Sequence, residues 1–192
     1  MNLEGHLTHF KDHKATLTDL GEVKILDWKN PNSNHYRIRY IFDENYYKLF
    51  ISGDLGELVA WNPTNMTFDK FEKHYCNNPS YFIEKIQCAE RQIYWYREEQ
   101  ARKELKERLE DIYYDEDEYI EEVVEDCMEY FSDEYGFDYY GIFDMLNNTD
   151  LSDLDPDYWE WLTDCGKQIS VITYLYLLGF SLAMENLRSI SQ

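Results

Sequence analysis

A stretch of 58 residues between Arg108 and Lys167 contains 21 aspartates and glutamates but no lysine, arginine or histidine. Such a segment folds only if it buries enough apolar surface to overcome its own charge repulsion. The same stretch carries eight tyrosines, three phenylalanines and two tryptophans. It therefore predicts a folded acidic region with an aromatic-rich interior, rather than a disordered acidic tail.

The acidity of the whole chain comes almost entirely from its second half. The net charge is −21, of which residues 1–98 contribute −2 and residues 99–192 contribute −19. Binding to nucleic acid or to anionic membranes depends on lysine and arginine, which neutralise phosphates and attract anionic headgroups. No membrane binding and no direct binding to duplex DNA are therefore expected. For RNA this exclusion is strong in the second half and weak in the first.

The first half predicts an antiparallel meander of three to four strands, followed by helices. Four segments are rich in β-branched and aromatic residues and alternate in polarity, and turn-forming residues separate them. Asn78 and Pro79 form an N-cap and first-turn pair, which predicts a helix after them. The predicted strands are Gly21–Trp28, His35–Phe42, Tyr46–Ser52 and Glu57–Trp61, and the predicted helices are Thr67–Tyr75 and Ser80–Cys88.

The second half predicts an acidic helical part, so the fold class is α+β. Glu98–Tyr113 is amphipathic, and Lys167–Arg188 is apolar on most sides and is expected at the centre of the helical part. Between them, apolar side chains recur at helical spacing, and acids fill the opposite face. The apolar set is Ile120, Val123, Val124, Cys127, Met128 and Phe131; the acidic set is Asp117, Glu118, Glu121, Glu122, Glu125, Asp126 and Glu129. The predicted domains are residues 1–98 and 99–192.

An acidic helical face has two interpretations. It can be an ordinary solvated surface, or it can be a surface that binds a basic partner. Like charges four residues apart destabilise a helix by about 0.2–0.5 kcal/mol each, and the sequence places no lysine or arginine in this segment to relieve them. A face kept at that cost favours mimicry of nucleic acid in a cationic groove.

Metal sites, cofactor sites and membrane spans are weakly indicated, and none is expected. His74, Cys76 and Cys88 match no common zinc spacing, and packing thiols explain them better. Asp153, Asp155, Asp157 and Asp164 match the spacing of a calcium-binding loop, but Tyr158 stands where that loop needs glycine, and Pro156 indicates a helix cap instead. The widely spaced cysteines are expected to be free thiols. The uncharged stretch 168–184 predicts a buried helix rather than a membrane span.

Four segments of the chain carry a resemblance to known proteins. They are Leu49–Gly56, Trp61-Asn62, Asn78–Cys88, and Tyr158–Trp161 with the helix that follows through Glu185. These segments resemble small proteins from phages and mobile elements of Firmicutes, and the resemblance covers residues 20–98 and 156–188. Some members of that group inhibit type II CRISPR effector nucleases, so the resemblance implies an anti-CRISPR protein acting in the bacterial host cytoplasm. It implies no catalytic residues, and the acidic middle of the chain is not part of it.

The favoured hypothesis is a binding protein that places carboxylates in the basic groove of a nucleic-acid enzyme, with an RNA-guided DNA nuclease or its guide complex as the preferred target. Tyr119, Tyr130 and Tyr135 would add flat contact area. The predicted partner-binding residues are Asp115, Glu116, Asp117, Glu118, Glu121, Glu122, Glu125, Asp126, Glu129, Asp133 and Glu134.

Two alternatives remain open. The first is a nuclease that damages guide RNA, with Arg37 and Arg39 on one strand face contacting RNA and His35 or His74 near the chemistry. No known catalytic motif accompanies these residues. The second alternative is an acidic adaptor that binds a host protein unrelated to CRISPR.

Overall fold

The computed structural model describes residues 4–113, 117–147 and 158–190. It divides the chain into two compact units. The first unit comprises Met1–Ile93 and Ile169–Gln192, and the second comprises Tyr94–Gln168. The first unit contains a β-sheet with helices and the second is mainly helical, which confirms the predicted α+β class.

The first unit is built on a six-stranded sheet in which every neighbouring pair is antiparallel and the strand order follows the chain. The predicted meander is therefore confirmed and extended by a strand at each edge. The strands are β1 (Lys14–Asp19), β2 (Val23–Lys29), β3 (Ile38–Asp43), β4 (Lys48–Gly53), β5 (Leu58–Trp61) and β6 (Ile86–Ala89).

Short helical elements surround the sheet. Helix α1 (Glu4–Leu7) and a 3₁₀ turn (Thr8–Phe10) precede β1. Between β5 and β6 lie α2 (Phe68–Phe71), a π-helical turn (Glu72–Cys76) and α3 (Pro79–Ile83). The predicted cap is present in α3, because the Asn78 side chain accepts a hydrogen bond from the backbone N–H of Tyr81.

Strand β6 and the edge strand β1 are the parts of the sheet that the sequence pattern did not predict. In β1 the only buried residue is Ala15, so the strand shows little alternation. Residues 86–88 were predicted to be helical, but α3 ends at Ile83 and the chain then pairs with β5, with Ile86 opposite Ala60. The free edge of β5 offers backbone partners that local helix propensity cannot reveal.

The core of the first unit lies between one face of the sheet and the long helix α8 (Val171–Ile190). The Tyr40 hydroxyl donates a 2.6 Å hydrogen bond to the Tyr176 carbonyl, and the Phe180 ring meets the Tyr40 ring edge-on. Gly179 permits this approach, because a Cβ there would lie 2.8 Å from Ile38 Cδ1. The close contact explains why the helix and the sheet form a single core.

Helix α8 belongs to the first unit, whereas the sequence placed it at the centre of the acidic helical part. The physical reason is its apolar surface, which packs against the inner face of the sheet in one apolar cluster. The helix also starts later than predicted. Lys167–Ile169 forms strand β10, and Ser170 then caps the helix by accepting the backbone N–H of Ile172.

The second unit packs its helices around a separate apolar cluster. Helices α4 (Glu98–Ile112) and α5 (Asp117–Met128) bury one face each. The predicted core positions Ile120, Val123, Val124 and Cys127 are all buried, which confirms the periodicity. The remaining elements are β7 (Tyr94–Tyr96), paired with β10, the β8–β9 hairpin (Phe131–Ser132 and Gly136–Phe137), α6 (Tyr139–Asn147) and α7 (Tyr158–Leu162).

Candidate partner-binding surface

The exposed carboxylates of α5 and its C-terminal end are the central feature of the second unit. The buried apolar residues fix the rotation of the helix, so the acids between them face solvent. The exposed members are Glu121, Glu122, Glu125, Asp126 and Glu129. The helical arrangement of these predicted site residues is therefore as expected.

The charge on this face is partly neutralised, contrary to the expectation that nothing relieves it. Lys106 of α4 pairs with Glu121, and Arg102 of α4 pairs with Glu125. Arg102 also lies 3.6 Å from Glu98 on its own helix. The charge pattern of residues 109–166 could not reveal these cations, because α4 precedes that segment and reaches it only through tertiary packing.

Three carboxylates of this surface lack such a cationic partner among the described residues. Glu122, Asp126 and Glu129 are exposed and form no ion pair with any other residue in the described ranges. We call these three residues the acidic face. Glu122 and Asp126 are about 6 Å apart along the helix axis, at about 1.5 Å per residue, and Glu129 follows the last residue of α5. They therefore form a short row of negative charges.

The other predicted partner-binding acids lie at the two ends of α5. Asp115 and Glu116 fall outside the described residues, and Asp117 and Glu118 open the helix. Asp133 and Glu134 are exposed in the turn between β8 and β9. The Ser132 hydroxyl supports this turn by accepting the backbone N–H of Tyr135 at 3.1 Å.

The three predicted tyrosines have different environments. Tyr119 is half-buried against Tyr113, with ring centroids 5.3 Å apart, and Tyr130 is half-buried close to Gly141. These two serve the packing of the unit, whereas Tyr135 is 70% exposed.

Three further exposed aromatic residues were not predicted from the sequence. They follow on α6 and are Tyr139, Tyr140 and Phe143. The (i, i+4) spacing of Tyr139 and Phe143 is the signal that could have identified this group.

A groove of about 690 Å³ in the second unit is also strongly acidic. One of its carboxylates, Glu104, accepts a 2.7 Å hydrogen bond from the backbone N–H of Gly166. Burial raises the pKa of the Cys165 thiol in this groove to about 12, so it is not a nucleophile at neutral pH. The groove is lined by Glu104, Glu107, Arg108, Asp111, Glu160, Trp161, Asp164 and Cys165.

The arginines proposed to contact RNA are in the first unit. Arg39 forms a bidentate ion pair with Asp27 of the neighbouring strand. Its Nε and Nη2 atoms donate hydrogen bonds of 2.7 and 2.9 Å to the two carboxylate oxygens. Arg37 precedes β3 and is half-buried, and its Nε has no hydrogen-bond partner within the described residues. His35 is exposed in the preceding loop, and His74 is half-buried in the π-helical turn.

Neither a metal cluster nor a membrane-spanning helix is found in the parts of the chain that the structure describes. Asp153, Asp155 and Asp157 lie outside those parts. The cysteines are free, as expected, and burial raises the pKa of Cys76 and Cys127 to about 12. Comparison with known proteins finds no matching family model, no matching curated protein and no matching solved structure.

Proposed function

We propose that this chain is a binding inhibitor whose acidic face enters the basic nucleic-acid groove of a partner enzyme. The favoured target is a type II RNA-guided DNA nuclease, because the resemblance given above points to anti-CRISPR proteins and such nucleases hold nucleic acid in a positively charged channel. One observation carries the proposal: Glu122 and Asp126 on an anchored helix, and Glu129 directly after its end, are exposed and have no countercharge among the described residues.

The position of these carboxylates supports a role in binding rather than in stability. The last turn of α5 contains no basic residue, and Asp126 lies within it. The C-terminal end of a helix carries partial negative charge, so acids there are unfavourable by about 0.3–1 kcal/mol. Glu122 and Asp126 are also four residues apart and repel each other. A basic partner would remove both penalties when it binds.

The ion pairs with α4 narrow the binding surface. Glu121 and Glu125 are held by Lys106 and Arg102, so they would have to exchange partners before contacting a target. We therefore place the main contacts at the acidic face, with Asp133 and Glu134 as further candidates. A few charge contacts at an interface increase the association rate and the specificity more than they increase the affinity.

The test compares two variants of equal net charge. The first carries Glu122→Lys, Asp126→Lys and Glu129→Lys. The matched control carries Asp12→Lys, Glu22→Lys and Glu57→Lys, three exposed acids of the first unit that form no ion pair with any described residue. Complex formation with a guide-loaded type II nuclease and DNA cleavage are measured at about 50 and about 200 mM salt.

We expect the control to inhibit like the parent protein and the acidic-face variant to bind at least tenfold more weakly. Higher salt should weaken the parent complex. Equal binding by both variants, with no dependence on salt, would contradict the proposal. A pull-down from host lysate tests the choice of target: recovery of a partner without a nucleic-acid groove would favour the adaptor alternative.

A further inference from the structure

A group of exposed aromatic side chains lies on α6 and in the β8–β9 turn that precedes it in the chain. Tyr135 is 70% exposed, Tyr140 is 77% exposed, and Tyr139 and Phe143 are 39% and 45% exposed. The Tyr139 and Phe143 rings are stacked, and Tyr139 meets Tyr140 edge-on at 5.4 Å. We call these four residues the aromatic patch. Exposed aromatic groups of this kind usually mark a binding surface.

The backbone beneath the aromatic patch is well supported. The Asp138 carboxylate accepts the backbone N–H of Tyr140 at 3.1 Å, which caps α6 at its start. Ile142 is fully buried and anchors the helix to the apolar cluster of the second unit. Gly141 lets the helix approach the Tyr130 ring, since a Cβ there would lie 2.2 Å from its Cδ1 atom. The rings of Tyr139, Tyr140 and Phe143 are therefore presented from a fixed helix, which lowers the entropic cost of binding.

The carboxylates near the aromatic patch in the chain indicate the charge that a partner would carry. Asp133, Glu134, Asp138 and Asp144 are all exposed within the same segment of chain. Hydrogen bonding to Glu134 raises the pKa of Tyr135, so its phenol stays neutral at physiological pH. An anionic or purely apolar partner would meet these carboxylates unfavourably, whereas a cation that also stacks on rings would meet both features.

Arginine meets these requirements better than lysine. Its guanidinium is flat, stacks on tyrosine and phenylalanine faces, and pairs with carboxylates through two parallel hydrogen bonds. The lysine side chain ends in a compact ammonium group, which is more strongly hydrated than a guanidinium and therefore costs more to desolvate. We infer that the aromatic patch binds arginine side chains of a basic protein partner. This inference rests on the proposed function for its basic partner and adds a second contact site with its own specificity.

The test uses the full-length protein with two probes, an oligo-arginine peptide and an oligo-lysine peptide of equal length. The aromatic variant carries Tyr135→Ala and Tyr140→Ala. The matched control carries Tyr46→Ala and Trp61→Ala, which remove aromatics that are 68% and 41% exposed in the first unit. Binding of each peptide is measured by fluorescence anisotropy at one fixed salt concentration, and circular dichroism checks that each variant is folded.

We expect the parent protein and the control to bind oligo-arginine at least fivefold more tightly than oligo-lysine. The aromatic variant should bind both peptides about equally, with its lysine affinity unchanged. Equal affinity of the parent protein for the two peptides would overturn the inference. So would self-association of the parent protein that the aromatic variant abolishes, because a second copy would then be the occupant.

The acidic-face variant separates this inference from the proposed function. It should lower the affinity for both peptides to the same extent and leave the ratio of the two affinities unchanged, because it removes negative charge but no aromatic ring. A protein that prefers arginine but neither binds nor inhibits the nuclease would refute the proposed target and support the aromatic patch. Inhibition that depends on the acidic face, without any arginine preference, would do the reverse.

Discussion

Replacing Asp126 with lysine should stabilise the protein while weakening partner binding. Asp126 is exposed, lies in the last turn of α5 and follows Glu122 by four residues. Lysine there would turn an i,i+4 repulsion into an attraction, a gain of about 0.4–1 kcal/mol over the two terms. Reversing the interaction with the helix dipole adds about 0.6–2 kcal/mol. We expect a net gain of about 1–2 kcal/mol, since exposed charges are screened.

The assay is thermal and urea unfolding of Asp126→Lys beside Glu57→Lys, an exposed acid of the first unit that is matched in charge change. A gain of 1 kcal/mol corresponds to about 2–4 °C in a chain of this size. The gain should shrink at about 1 M salt, where the Debye length is about 3 Å. Equal stabilisation by both substitutions would indicate a general effect of net charge. A gain that salt does not reduce would refute the electrostatic reasoning.

Three further predictions concern the core, the thiols and a buried histidine. Gly179→Ala should lower the free energy of unfolding by about 1–3 kcal/mol, measured by urea titration, because its Cβ would lie 2.8 Å from a side chain of β3. In native protein near pH 8, Cys88 should react with a thiol reagent much faster than Cys165, which burial protects, and mass spectrometry of labelled peptides reports this. Burial lowers the pKa of His13 below 6.5 despite its hydrogen bond to a backbone carbonyl, so the unfolded chain takes up the proton first. Stability should therefore fall as pH drops below about 6.5, and less so in His13→Gln, as thermal unfolding at a series of pH values would report.

Local patterns in the sequence predict the elements that bury one face. The alternation around β3 gives buried Ile38, Tyr40 and Phe42, and the strand repeats that pattern in the structure. Helix α4 starts and ends within one residue of its predicted bounds, because its apolar residues keep a regular spacing. Patterns of this kind agree with the structure because burial of one face determines both the type of element and its orientation.

Pairings between distant segments were not predictable in the same way. Residues 86–88 belong to the helix predicted after Asn78 and Pro79, yet in the structure they form part of β6, whose pairing only the folded β5 supplies. Helix α8 is apolar on most sides, so its sequence alone does not say which apolar face it covers. The buried hydroxyl of Tyr40 helps to determine which face α8 covers. This hydroxyl needs a hydrogen-bond acceptor, and the Tyr176 carbonyl of α8 provides it.

The candidate surface depends on both kinds of information. Charge counting along residues 109–166 treats all carboxylates of α5 as equivalent, because no cation lies within that window. Packing of α4 makes them unequal: Glu121 and Glu125 receive partners, whereas Glu122 and Asp126 do not receive any from the described residues. Under the proposed function, Glu121 and Glu125 would have to leave their partners before contacting a target, so we expect the unpaired carboxylates to supply the electrostatic attraction. A charge-reversal experiment aimed at the paired positions would break intramolecular contacts as well, and would confuse loss of binding with loss of structure.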